Sequence, residues 1–199
     1  MGGKQALCPT ILRCFPPGFR NMTYVEVFGG GGSVLLNKER SVREVLNDAN
    51  GNLINLYRVV REHPDELKDR LLYVLHSRLD FKTARHRLEL NPSPDPIQRA
   101  ADFYQVILQS YGCYGKQFNP RGKSMWARFP LIDAVCERLQ YVVLENDDFE
   151  TIIQRYEGGA VYREVLISNY DTIKRTPEQL YLFAPQEPEE RKILWNGLC

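Results

Sequence analysis

At 199 residues and 23.1 kDa the chain is sized for one domain, or one domain carrying an inserted lobe. Its composition, 43% hydrophobic and 26% charged with a net charge of +1, is that of a globular protein able to bury a core. No apolar run approaches the ~18 residues that span a bilayer, and Met1-Gly2-Gly3-Lys4 lacks a charged-then-apolar leader, so no membrane partner is expected and the cytoplasm is the default compartment.

Charge is spread unevenly. Residues 1–57 carry six basic and four acidic groups, residues 58–128 thirteen and eight, and residues 129–199 seven and thirteen. A basic middle with an acidic end is compatible with a nucleic-acid face without establishing one. The five cysteines, at 8, 14, 113, 136 and 199, are odd in number and include no CxxC, so they read as reduced thiols and not as a disulfide or zinc framework. His63, His76 and His86 have no partners at metal-ligand spacing and read as solvated helix residues; no metal site is expected.

In chain order, Leu7, Ile11 and Leu12 stand at helical spacing within Gly3 to Phe15, and Phe15-Pro16-Pro17-Gly18 ends that helix. An extended run, Tyr24 to Phe28, then feeds four glycines, Gly29 to Gly32, and a short helix start, Ser33 to Leu36. Strand, glycine turn and helix is how a doubly wound α/β sheet lets backbone approach a nucleotide-like ligand. A second strand, Val42 to Leu46, ends at Asn47-Asp48, which places a carboxylate eighteen residues after Gly30, where it can accept two ribose hydroxyls. The spacing Phe28-x-Gly30-x-Gly32 is not the dinucleotide fingerprint, and no P-loop lysine follows Ser33. An adenosine-type cofactor without phosphates, S-adenosylmethionine (SAM), fits better than a dinucleotide; the alternative is a glycine-rich connection with no ligand.

Leu53, Leu56, Tyr57 and Val60 form the stripe of a helix that His63-Pro64 ends. A single helix is expected from about Asp65 to Leu90, with Leu67, Leu71, Leu72, Leu75 and Leu79 buried. Its Arg78, Lys82 and Arg85 share one face, either simply solvated or contacting phosphates. After the stiff Asn91–Pro96 loop, Ile97 to Gln109 reads as an amphipathic helix through Ala100, Phe103, Tyr104 and Ile107. No acid occurs from Ser110 to Leu131, while Lys116, Arg121, Lys123 and Arg128 all fall there among aromatics and amides, a composition suited to phosphates and base edges. Leu131 to Leu139 reads as helix and Tyr141 to Leu144 as strand. Asn146-Asp147-Asp148-Phe149 then opens a helix through Tyr156, where Asp148 and Phe149 serve either an adenine ring or a cap and core. Val165 to Ser168 is a further expected strand, and Thr176-Pro177-Glu178 opens a last short helix.

Taken in this order, the landmarks resemble the Dam-type adenine-N6 DNA methyltransferases. Gly2-Gly3-Lys4 is similar to the family's opening motif, Tyr24 through Val34 to its methionine-cradling motif, with Val27 where the family usually has Pro, and Leu46-Asn47-Asp48-Ala49-Asn50 to its ribose motif. Asn146-Asp147-Asp148-Phe149 resembles the adenine-side motif, and Val165 to Asp171 and Leu194-Trp195-Asn196 resemble late strands. The resemblance implies an α/β, Rossmann-like SAM-dependent methyltransferase sheet with an inserted helical target-recognition lobe: residues 1–59 and 141–199 as the core, 60–140 as the lobe. It implies SAM held by Lys4, Phe28, Gly30, Gly32, Asp48, Asp148 and Phe149. Double-stranded DNA would be met by Arg78, Lys82, Arg85, Lys116, Arg121 and Lys123, and a restriction endonuclease partner stays open. Tyr111 to Lys123 sits where the family keeps a DNA-probing hairpin.

The family also places, after the position of Tyr156, a strand ending in Asp-Pro-Pro-Tyr whose acceptors bind the adenine amino group and whose aromatic stacks on the flipped base. Here Ala160-Val161-Tyr162 runs directly into Arg163-Glu164-Val165, too short for a parallel crossover of about a dozen residues. The only Pro-Pro is Pro16-Pro17, with no Asp before it. Ser168-Asn169-Tyr170-Asp171 lacks both prolines and matches a later strand. No catalytic residue is therefore assigned. Two readings stand: an adenine methyltransferase with an unrecognised catalytic loop, and a shortened member that binds SAM or DNA without transferring methyl. A truncated sheet would also expose apolar edges prone to aggregation.

Overall fold

Three parallel strands organise the chain. The structure, a computed structural model, describes residues 7–113, 115–121 and 124–157. In chain order these form α1 (Cys8–Arg13), β1 (Thr23–Glu26), α2 (Ser33–Asn37), β2 (Arg43–Asn47), α3 (Gly51–Glu62), α4 (Pro64–Leu72), α5 (Arg78–Leu90), α6 (Pro96–Leu108), α7 (Phe129–Leu139), β3 (Val142–Glu145) and α8 (Phe149–Glu157), with short 3-10 turns between some of them. The expected strand at 165–168 and the late helix lie outside the described residues, as do Lys4 and Lys123.

β2 is central, paired in parallel with β1 (Val25 opposite Val45) and with β3 (Val45 opposite Val143). Alternation along the strands sorts side chains to two faces. On one face Leu46 and Val142 join an apolar cluster that continues through Leu53, Ile54 and Tyr57 of α3 to α4, α6 and α7. Removing a fully buried member such as Leu67 or Leu139 would cost about 2–5 kcal/mol. Toward the other face, α8 donates hydrogen bonds from Arg155 and Tyr156 to Glu145 and buries Ile152. The observed architecture is thus mixed α/β around a small parallel sheet, compatible with a methyltransferase fold.

Two expectations are corrected. The helix expected from Asp65 to Leu90 is two helices. The chain leaves helical geometry at Tyr73 and restarts at Ser77, whose hydroxyl accepts from Asp80 N. The leucine spacing runs across the break without marking it: Leu67 and Leu71 are buried, Leu72 is half-buried, and Leu75 and Leu79 are 69% and 72% exposed. The carbonyls freed there find side-chain donors from elsewhere, Trp126 Nε1 to Leu72 O (2.8 Å) and Gln109 Nε2 to Leu75 O (2.9 Å). The second concerns α6, where the expected stripe of Ala100, Phe103, Tyr104 and Ile107 is buried but burial extends beyond it: residues 100–108 are all buried because α3, α4 and α5 each pack against the helix. Its polar Asp102 is tolerated inside because Arg87 grips it with two nitrogens (2.8 and 2.5 Å) and Gln98 adds a third bond.

His76 is likewise not a helix residue. It lies in the α4–α5 break, hydrogen-bonded to Asn119 O and in tilted ring contact with Phe118 at 4.9 Å between centroids. Cys8 is a buried free thiol, Cys14 and Cys136 are free thiols nearer the surface, and Cys113 is buried.

Candidate functional site

The carboxyl ends of the three strands meet at one place, and a single side chain pins them. Asn47, buried at the end of β2, donates to Val27 O after β1 (2.9 Å) and to Asp147 O after β3 (3.0 Å), and accepts from Asp147 N (3.0 Å). Asn146 Nδ2 adds a bond to Asp48 O (2.8 Å).

Against this frame the glycine turn is held closely. Gly29 N donates to Asn47 O at 2.7 Å, and a Cβ on Gly29 would stand 2.9 Å from that oxygen, so no side chain fits there. Gly30 and Gly32 have φ of +50° and +66°, where L side chains are strained. Tyr57, fully buried on α3, donates from its hydroxyl to Gly30 O (2.8 Å), and that hydroxyl lies 3.1 Å from where a Gly32 Cβ would be. Asp48 closes the turn from the other side. Its Oδ2 accepts from Gly30 N and its Oδ1 from Asn50 N, each at 2.8 Å. An ionised carboxylate has about four acceptor positions, so two remain for hydroxyls of a ligand.

Beside the turn, Phe28 (57% exposed) and Phe149 (44% exposed) touch at a ring-centroid distance of 5.6 Å. They present apolar ring faces that a flat heterocycle can stack on. Asp148 is engaged as the cap of α8: Oδ1 accepts from Thr151 N (3.0 Å) and Oδ2 from Thr151 Oγ1 (2.6 Å), and those hydrogen bonds hold its carboxyl below the ordinary value. Tyr156 is pushed up to about 12 by burial and then by its bond to Glu145, so it is a neutral phenol at physiological pH. A carboxylate, a glycine turn that admits no side chain and two aromatics can hold an adenosine-like molecule. Among the described residues no group of three or more His, Cys, Asp or Glu could hold a metal ion, and no helix is long and apolar enough to cross a membrane.

Sequence reasoning missed Asn47 and the roles of Tyr57 and Asn146. Tyr57 occupies an apolar stripe position, and only its hydroxyl hints at a second task. Asn47 carried a signal, an amide at the last position of a buried strand.

The basic residues gather on α5 and on the segment after α6. Arg78, Lys82 and Arg85 do share one face of α5. Arg78 stacks over Phe118 (4.9 Å), while Arg85 pairs with Glu89 (2.8 Å) and donates to Lys116 O (2.7 Å). Lys116 and Arg121 are exposed in a segment whose base is paired antiparallel: Ser110 bridges Phe118, Tyr111 N donates to Gln117 O and Asn119 N to Gln109 O. Phe118 anchors that segment against Phe81 (5.6 Å) and His76.

A model of the D12 class N6 adenine-specific DNA methyltransferases matches residues 1–179. The chain belongs to that family. The methyltransferase-family chain is 38% identical over 125 residues to a DNA adenine methylase of Escherichia coli strain K12, an alignment covering 61% of this chain and 43% of the relative. It is 37% identical over 125 residues to a DNA adenine methylase of Salmonella typhi, with the same coverage. It is 26% identical over 175 residues to the type II methyltransferase M1.LlaDCHI of Lactococcus lactis subsp. cremoris, covering 79% of this chain and 60% of that one. The matched region thus spans 43% to 60% of these relatives' lengths.

Proposed function

We propose that this methyltransferase-family chain binds SAM at the strand ends and double-stranded DNA across its helical lobe, as an adenine-N6 DNA methyltransferase. The observation that carries the reading is the joining of the glycine turn to Asp48 by the 2.8 Å Gly30 N–Asp48 bond, in a turn where backbone contacts and left-handed φ values exclude side chains. Asp48 would take the ribose hydroxyls, Gly30 and Gly32 would let the methionine part approach backbone, and Phe28 and Phe149 would flank the adenine. Lys4 belongs to this proposed set by resemblance, and Asp148 supports it through the α8 cap. Bound there, SAM supplies an electrophilic methyl group. The chain's part is to fix its orientation and exclude water, since methyl transfer needs in-line placement. Arg78, Lys82, Arg85, Lys116, Arg121 and Lys123 are the proposed phosphate contacts, on a lobe running from about 60 to 140.

A second reading, binding without transfer, rests on the sequence. No Asp-Pro-Pro-Tyr occurs in the 199 residues, and the adenine amino group, a poor nucleophile, needs acceptors of that kind in the transition state. Labelled methyl transfer from SAM to unmethylated duplex DNA separates the two. Label at adenine N6 supports transfer by this chain. Calorimetric SAM binding without label supports the second reading. For either one, Asp48→Ala should abolish calorimetric SAM binding while the fold survives by circular dichroism; unchanged affinity would remove Asp48 from the site.

A further inference from the structure

A polar cleft of about 360 Å³ lies at the start of α3, lined by Asn50, Asn52, Asn55, Arg58, Arg99 and Asn146 among others. We infer that this cleft is an oxyanion site, with Arg58 of α3 and Arg99 of α6 receiving a phosphate group. Neither arginine forms an ion pair among the described residues. Arg99 is partly buried and preorganised: its Nη2 donates to Asn55 Oδ1 (2.9 Å), and Asn55 is itself fixed by donating to Pro96 O (2.9 Å). That bond engages the nitrogen that shares an edge with Nε, and Nη1 makes no hydrogen bond among the described residues. Nε is buried and has no hydrogen-bond partner among the described residues. An unsatisfied buried N–H is costly, so Arg99 is held short of its full donor count, and its Nη1 end with the exposed Arg58 guanidinium supplies the donors left for phosphate oxygens.

Among the described residues no carboxylate lines the cleft to neutralise the pair. Of the acids close in sequence to the lining, Asp48 accepts from Gly30 N and Asn50 N on the turn side, and Glu145 and Asp147 pair with Arg155. The helix end of α3 is not the source of the site, because the Asn50 side chain already caps Asn52 N and Leu53 N. Asn146, which bonds to Asp48 O, makes the cleft continuous with the frame of the proposed cofactor site. A phosphate held there would belong to duplex DNA lying beside that site or be free in solution. The DNA source rests on the function proposed above; the oxyanion chemistry does not.

The test follows the Arg99 Nε–H resonance by NMR while the full chain is titrated separately with inorganic phosphate, sodium chloride and a short duplex. A saturable shift with phosphate, absent with chloride at equal ionic strength and lost in Arg58→Gln, supports the site. A shift with the duplex as well, together with a salt slope for DNA binding lower by about 0.9 in Arg58→Gln, assigns the phosphate to DNA. Phosphate binding in a chain that does not bind the duplex keeps the site and overturns the DNA function instead. No shift with either ligand, with the wild-type resonance present, means that water fills the cleft and overturns the inference. Because Arg58 is exposed and makes no bond within the described residues, its substitution leaves the fold in place.

Discussion

At the scale of single residues, the site depends on side chains that hold backbone and do not themselves face a ligand. Tyr57 is the sharpest case. Its hydroxyl donates to Gly30 O from a fully buried position. Tyr57→Phe keeps the packing and removes the hydroxyl's bond to Gly30 O, so stability should fall by only about 1 kcal/mol, while the glycine turn loses its inner tether. The expected outcome is a small shift in the urea midpoint with a larger, several-fold loss of SAM affinity by calorimetry. Equal losses in both would make Tyr57 an ordinary core residue. Gly29→Ala tests the same turn from the backbone side. A Cβ 2.9 Å from Asn47 O cannot be accommodated by rotating a side chain, so Gly29 should be separated from Asn47 at a cost of about 1–3 kcal/mol and SAM binding should be lost.

At the scale of elements, what the sequence revealed and what it hid differ for a physical reason. The position of Asp48 at the tip of the second strand was legible because strand, turn and strand are local, and their spacing follows from two short parallel strands, whereas its bond to Gly30 N was not. β1, β2, α3 and β3 appear within a few residues of where periodicity places them. The α4–α5 break was not legible, because its cause is tertiary: Trp126 and Gln109 supply the donors that let the helix stop at Leu72. The burial of α6 on every side was hidden likewise, since the partners of Asp102 come from α5 as well as from its own helix. The segment after α6 belongs between these cases. Its one-sided charge was visible, but its antiparallel base, set by Ser110 and Phe118, was not. That base gives the DNA proposal a definite test. Arg121→Ala with Lys123→Ala should weaken duplex binding and lower the log–log salt slope by about 0.9 for each phosphate no longer neutralised, leaving SAM binding unchanged. An unaltered slope would make the segment an ordinary surface loop.

At the scale of the whole molecule, one buried charge network ties the sheet to the helices that follow it in sequence. Glu44 on β2 is 3% exposed at its side chain, receives Arg138 of α7 through two nitrogens (2.5 and 2.9 Å) and also receives the fully buried Lys38 that follows α2. Arg138 additionally donates to Leu35 O (2.8 Å), so α2, β2 and α7 share one junction. Burial pushes the Glu44 carboxyl up, but hydrogen bonds from Arg138, Lys38 and Ser41 N outweigh it and hold the group below its ordinary 4.5. With a depressed folded value, the unfolded chain takes up the proton first as pH falls. The stabilisation is therefore complete above about 4.5 and disappears as pH drops through the folded value. Urea midpoints should be flat from neutrality to about pH 5 and then fall. Glu44→Gln should remove Glu44's share of that fall and cost about 3–5 kcal/mol at neutral pH, because Lys38 is left buried without its countercharge. The double variant Glu44→Gln with Lys38→Met should recover much of the loss, since the stranded charge goes with it. If Glu44→Gln unfolds at the wild-type urea midpoint at neutral pH, the junction does not hold the sheet to α7, and the continuous apolar cluster joining them must do so alone.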